Sequence, residues 1–238
     1  MTLVETAVER LRYFEPDDGY YLAFSGGKDS VVIHDLAMKA GVRFDAHYNV
    51  SPIDPPEIHQ FIKRYYQSVV WDIHAKNFWK RFMYEGPPLR TQRWCCELIK
   101  EAGGKGRLVL TGIRWAESSR RRGRMLFEPC FHEARTFYLH PIIDWSTEDV
   151  WAYIRDNGLA YCKLYDEGFT RLGCVLCPYA GNRDTARALI RFPKLVRVWQ
   201  HAFERYFTVR QQRGTPLTQA TWQEYWDWWI SRKRKQEE

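Results

Sequence analysis

Apolar positions along the chain form short, dense runs separated by longer stretches with helical spacing. Tyr20-Tyr21-Leu22-Ala23-Phe24, Phe44 to Val50 and Val69 to Ile73 read as strands, and Arg107 to Ile113 reads as a strand buried on both faces. Between the first two, Ser30 to Lys39 has helical spacing and stops at Gly41. Pro56 to Tyr66 has it again, with Asp54 near its start. Strand alternating with helix predicts an α/β fold: a mostly parallel sheet flanked by helices, with ligands at the carboxyl ends of its strands.

A further helical stretch holds Cys95 and Cys96. Ser146, with Asp149 three residues on, reads as the cap of a helix running through Trp151 and Ile154 to Gly158. From Asp184 the pattern is helical, interrupted near Pro193 and Gly214-Thr215-Pro216. The division is a nucleotide-binding domain over 1–180 and a helical C-terminal subdomain over 181–238. In the latter, Trp222, Trp226 and Trp229 recur at i, i+4 and i+7, which marks a packed helix face. The same aromatics beside the basic end Arg232 to Lys235 also suit a nucleic-acid or partner surface.

Charge narrows the ligands. With 36 Lys plus Arg against 29 Asp plus Glu, the formal charge of +7 suits a polyanion: a nucleotide, a sulfate ester or nucleic acid. No apolar run approaches the roughly 20 residues of a membrane span, and Met1 to Arg10 has no signal-peptide pattern. The expectation is a cytoplasmic protein with no membrane partner, whose six cysteines are metal ligands or catalytic thiols rather than disulfides.

Ser25-Gly26-Gly27-Lys28-Asp29-Ser30 lies where the first strand turns into the first of these helices. The glycines let backbone amides approach anionic oxygens, and the helix N-terminus adds partial positive charge. Lys28 supplies a full charge, Ser25 and Ser30 supply hydroxyl donors, and Asp29 would hold Mg²⁺ or orient its neighbours. An ordinary glycine turn with a helix cap is the bland alternative. The spacing is not that of the Walker loop.

Cys95 and Cys96 are adjacent, and Cys174 and Cys177 form a Cys-x-x-Cys pair within Gly173 to Pro178. Four thiolates in two tight pairs suit a 4Fe-4S cluster or a structural zinc. Cys130, beside His132, and Cys162 read as buried structural thiols. If one is catalytic it is Cys130, whose pKa His132 would lower if close in space.

Ser-Gly-Gly-Lys-Asp-Ser resembles the signature of the PP-loop ATP pyrophosphatases. Joined to a Cys-Cys pair and a later Gly-Cys-x-x-Cys, it resembles the phosphoadenosine phosphosulfate reductase family over roughly residues 15 to 180. The resemblance is to its cluster-bearing branch, the adenylyl sulfate reductases and the sulfur-transfer enzymes of DNA phosphorothioation. Thr111-Gly112-Ile113-Arg114, with Glu117-Ser118 and Arg120, resembles the family's nucleotide-contacting strand end, and His140 to Trp145 a structural landmark.

The resemblance implies a Rossmann-like PP-loop fold, binding of ATP or an adenylyl sulfate (APS or PAPS), and a 4Fe-4S cluster on Cys95, Cys96, Cys174 and Cys177. It implies Ser25 to Ser30, Gly112, Arg114 and Arg120 as nucleotide contacts, with Lys28, Asp29 and Arg114 catalytic. The chain lacks the family's C-terminal Glu-Cys-Gly nucleophile, having no cysteine after Cys177. That shifts the expected activity toward ATP-dependent adenylation of an acceptor, nucleic acid among the candidates, followed by sulfur transfer from a donor. Reduction of an adenylyl sulfate by a thiol electron carrier is the alternative. A non-catalytic nucleotide-binding subunit is the reading from another class.

Overall fold

The computed structural model describes residues 1–74, 77–131 and 133–234. The described residues form a sheet of six strands: β1 (Tyr20–Ala23), β2 (Phe44–Asn49), β3 (Val70–Asp72), β4 (Leu108–Leu110), β5 (Phe127–Pro129) and β6 (Phe137–Leu139). Their order is β3-β2-β1-β4-β6-β5, parallel throughout except for β5, which runs antiparallel to β6 at one edge. The chain builds outward from β1 to β3, then returns to place β4 on the other side of β1. In open sheets of this kind the crevice at such a reversal is where ligands sit.

Helices α1 (Leu3–Tyr13), α2 (Lys28–Ala40), α3 (Pro56–Tyr65), α4 (Phe78–Glu85), the one-turn α5 (Ser119–Arg122) and α6 (Thr147–Asp156) accompany the strands. The α/β architecture expected from the alternating pattern is the one found, with shorter strands. Of the Arg107 to Ile113 run, Leu108 to Leu110 form the strand and only Val109 and Leu110 pair on both sides; beyond Thr111 the chain leaves the sheet to form the site described below. Helix α1 has a capping box between Thr2 and Glu5, and α6 has the one read between Ser146 and Asp149.

Helices α7 (Asn182–Arg191), α8 (Pro193–Gln212) and α9 (Trp222–Arg234) follow. Their cores join that of the sheet in one hydrophobic cluster. The link is aromatic: Trp199 of α8 packs against Phe78 and Phe82 of α4 and lies 5.0 Å from the ring of Trp229. Trp226 and Trp229 are buried and Trp222 is half-buried, so the tryptophan stripe faces the core. The side chains of Arg232 to Lys235, and His132, lie outside the described residues. Among the described residues no helix is long and apolar enough to cross a membrane.

Candidate functional site

β1 continues one residue past its ladder, Phe24 N–H donating to His47 O at 2.9 Å, and the chain then turns at Gly26. Gly26 has φ +72°, and a Cβ there would stand 3.1 Å from Ile58 Cγ2, so the turn requires glycine on both counts. Helix α2 begins at once, making Lys28, Asp29 and Ser30 its first turn. The serines tie the loop to itself: Ser30 Oγ donates to Gly27 O at 2.8 Å and accepts from Ser25 N–H at 3.2 Å, while Ser25 Oγ accepts from Gly27 N–H at 3.3 Å. The result is a fixed glycine turn on a helix N-terminus, a geometry that attracts anions.

Lys28 is buried, and its ammonium lies 3.0 Å from Asp29 Oδ2. The other Asp29 oxygen accepts from Arg114 Nε at 2.8 Å. With a cation on each oxygen, Asp29 orients its neighbours in this arrangement. Arg114, the expected nucleotide contact, is 1% exposed, and its Nη1 also donates to Trp145 O at 3.3 Å. Through Nε and Nη1 it ties the end of β4 to the first turn of α2 and to Trp145. Gly112 lets the two approach: a Cβ there would come within 2.6 Å of Asp29 Cβ.

The rest of the arginine segment divides by partner. Glu117 accepts from Arg114 N–H at 3.0 Å and pairs with Arg121, and Arg124 pairs with Glu128. Arg120 is exposed, without a hydrogen bond or ion pair among the described residues. Behind it, buried His140 meets Thr111 Oγ1 at 2.7 Å through Nδ1 and Glu128 Oε1 at 3.3 Å through Nε2. Arg124 Nη2 also lies 3.5 Å from Nε2 but is paired with Glu128, which only accepts, so the proton is assigned to Nε2 and Nδ1 accepts from the threonine. Burial pushes the His140 pKa down to about 4 against the pull of Glu128.

The two cysteine pairs, far apart in sequence, line one cavity together with Ser51 and Lys100. The helical stretch read at Cys95 and Cys96 contains a π turn, Cys96–Lys100. Cys174 Sγ donates to Ser51 Oγ at 3.5 Å, and Leu176, at φ +58°, bends the chain between Cys174 and Cys177. Cys95 donates to Cys96, and with Arg93 alongside this draws the Cys96 thiol down to about 6 despite burial, while Cys95 is pushed up. Burial raises Cys174. Lys100 Nζ is 2.5 Å from Asp54 Oδ2, and Tyr48 also donates to that buried carboxylate. Among the described residues, no three of His, Cys, Asp or Glu are gathered closely enough to hold a single metal ion. Four thiols on one lining are a donor set that suits a 4Fe-4S cluster or a zinc ion by its chemistry.

Cys130 and Cys162 lie outside this cavity. Cys162 is 1% exposed, and burial raises its pKa. Cys130 follows β5 and bonds backbone to backbone with Thr136, just before β6 begins, at the amino ends of the parallel strands. The Ser25 to Ser30 loop is at their carboxyl ends, and β5 stands three places from β1, roughly 14 Å across the sheet. Cys130 and the loop therefore stand at opposite ends of the sheet. The antiparallel edge strand puts it there, and nothing in the local sequence of Phe127 to Phe131 reveals that direction.

Residues 19–180 match the phosphoadenosine phosphosulfate reductase domain. The chain belongs to that family. An uncharacterized protein of Methanocaldococcus jannaschii is 32% identical over 198 residues, 77% of this chain and 47% of the relative. The chain spans less than half the length of this and the next curated relatives it matches. The crystal structure of a phosphoadenylyl-sulfate reductase from Candida auris shares the fold with a TM-score of 0.54 at 22% identity, covering 73% of this chain and 90% of that one. A Candida glabrata FMN adenylyltransferase bound to FMN and an ATP analogue shares it at 0.53 and 16%, covering 73% and 63%. A reductase and an adenylyltransferase thus share the fold of this chain.

Tyr165 and Lys100 escaped the reading of the sequence. Lys100 stands four residues beyond Cys96 in a helical stretch, a spacing that turns it toward the same side. Tyr165, whose hydroxyl accepts from Lys28 N–H at 2.9 Å, has no local signal at all.

Proposed function

We propose that the protein is an ATP-dependent, adenylating sulfur-transfer enzyme carrying a 4Fe-4S cluster on Cys95, Cys96, Cys174 and Cys177. The observation that carries this reading is where the six cysteines stand. Four share a cavity, Cys162 is buried, and Cys130 is at the far end of the sheet. Cys162 is buried and Cys130 stands at the amino ends of the parallel strands, so neither is placed as a nucleophile for the sulfur of an adenylyl sulfate held at the loop. Activation by ATP needs no such thiol.

In the proposed reaction an acceptor oxygen attacks the α-phosphorus of ATP, the bond to the β-phosphate breaks, and pyrophosphate leaves. Sulfide-level sulfur from a donor then displaces AMP from the acceptor. Lys28 and the amides at the start of α2 stabilise the charge gathering on pyrophosphate, with Mg²⁺ supplied from solution alongside them. Asp29 and Arg114 hold Lys28 in place. The cluster, when bound, supplies electron transfer or a sulfur-binding iron. The family's name favours a second reading, reduction of an adenylyl sulfate to sulfite and AMP.

Anaerobic protein incubated separately with ATP and with the two adenylyl sulfates separates these readings. Pyrophosphate and AMP from ATP, in the presence of a sulfur donor and candidate acceptors including nucleic acid, support the proposal. Sulfite from an adenylyl sulfate, persisting after Cys130→Ser and Cys162→Ser, overturns it in favour of reduction. Turnover of no nucleotide, with binding retained, supports a nucleotide-binding subunit instead. For the cluster, brown protein with about four irons per chain is the expected result. Stoichiometric zinc in a colourless sample overturns that part.

A further inference from the structure

Helix α2 has a glycine at its N-cap, and Gly27 offers no side chain to the first amides. The missing cap comes from elsewhere in the chain: the Tyr165 hydroxyl accepts from Lys28 N–H at 2.9 Å across 137 residues of sequence. Tyr165 ends a short turn, Lys163–Tyr165, and its ring meets Trp151 of α6 edge to face at 5.0 Å. Lys28 Nζ lies 5.9 Å from the ring centroid. The tyrosine is half-buried and fixed on one side by α6, with its oxygen above the start of α2.

An amide has a single proton. At a helix N-terminus that proton is one of the donors an anion would take, and here an uncharged oxygen already takes it. We infer that Tyr165 is a specificity-determining residue: its hydroxyl holds the place of a phosphate oxygen, and a ligand must bring an oxyanion to Lys28 N–H to displace it. A ligand with a pyrophosphate or polyphosphate chain makes that exchange and gains a charged acceptor for a neutral one. A nucleoside cannot make it and leaves Tyr165 in position. This inference rests on the reading of Ser25 to Ser30 as a phosphate-binding loop.

The test is calorimetric titration of the full-length protein and its Tyr165→Phe variant with inorganic pyrophosphate, ATP and adenosine. Phenylalanine keeps the ring against Trp151 and removes only the competing oxygen, and matching urea midpoints verify the fold. Removing one neutral hydrogen bond that the ligand must break should tighten pyrophosphate and ATP about fivefold and leave adenosine unchanged. Weaker binding by Tyr165→Phe would mean that the hydroxyl serves the ligand, and equal binding that it does not compete; either overturns the inference. If pyrophosphate and ATP bind neither protein, or bind Lys28→Ala as tightly as wild type, the phosphate-loop reading itself fails, and the inference with it.

Discussion

Arg114 and Asp29 are 85 residues apart in sequence, and their side chains meet at 2.8 Å, joining the end of β4 to the first turn of α2. The guanidinium is buried whereas the carboxylate is about one-fifth exposed, so the pair sits at the boundary between core and ligand crevice. Arg114→Ala leaves Asp29 with Lys28 alone and removes the hydrogen bond to Trp145. Loss of one partner from a largely buried pair should cost roughly 3 kcal/mol, measurable as a lower urea midpoint. ATP affinity should fall as well. Arg114→Lys recovers charge but not the fork, so it should restore only part of each.

Gly112→Ala tests the close approach. The new methyl must push on Asp29 Cβ, and overpacking of this kind costs about 1–3 kcal/mol. Because the displaced residue holds Lys28, nucleotide affinity should drop by more than the stability loss explains. Isothermal titration of folded protein at a temperature well below its unfolding midpoint separates the two effects.

His140 makes the protein acid-labile in a defined window. Its folded pKa, pushed down to about 4, lies below the ordinary value of about 6.5. The neutral ring therefore favours folding above pH 6.5, and that contribution is lost as the pH falls from 6.5 toward 4, at most of the order of 3 kcal/mol. His140→Asn should be less stable than wild type at pH 7.5, yet lose less on acidification to pH 5. Urea unfolding at the two pH values measures the difference.

Iron uptake tests the cavity residue by residue. Anaerobic reconstitution of Cys96→Ser or Cys174→Ala should yield well under the roughly four irons of a complete cubane. Cys130→Ser and Cys162→Ser should match wild type. Iron loss confined to the last two variants would remove the cluster assignment. Trp229→Ala, which empties a buried site against Trp199, should cost about 3–5 kcal/mol and lower iron content with it.

Strand and helix order was legible because each element keeps its own apolar period, and the phosphate loop because glycines and Lys28 sit together in sequence. The cysteine pairs were legible as pairs, and folding brings both to one cavity. What sequence could not reveal was direction and distance. Arg114 reads as a ligand contact, and nothing in its sequence shows that its Nε meets Asp29 and its Nη1 meets Trp145 O. Cys130 reads as a structural thiol, and as the catalytic one only if either spare cysteine is; its place at the far end of the sheet comes from the antiparallel β5. Tyr165 bonds to Lys28 only because the turn at Lys163–Tyr165 crosses the start of α2, a tertiary relationship with no periodic trace.

Pro88 and Trp199 line the cysteine cavity, and Trp229 of α9 donates to Pro88 O at 2.9 Å while packing on Trp199. A ribosome releases α9 after everything else described here, and domains form as the chain emerges from its amino end. During synthesis the four thiols are thus all present before the wall that shelters them is finished. Oxidation can reach the thiols throughout that interval, which docking of the tryptophan helix brings to a close.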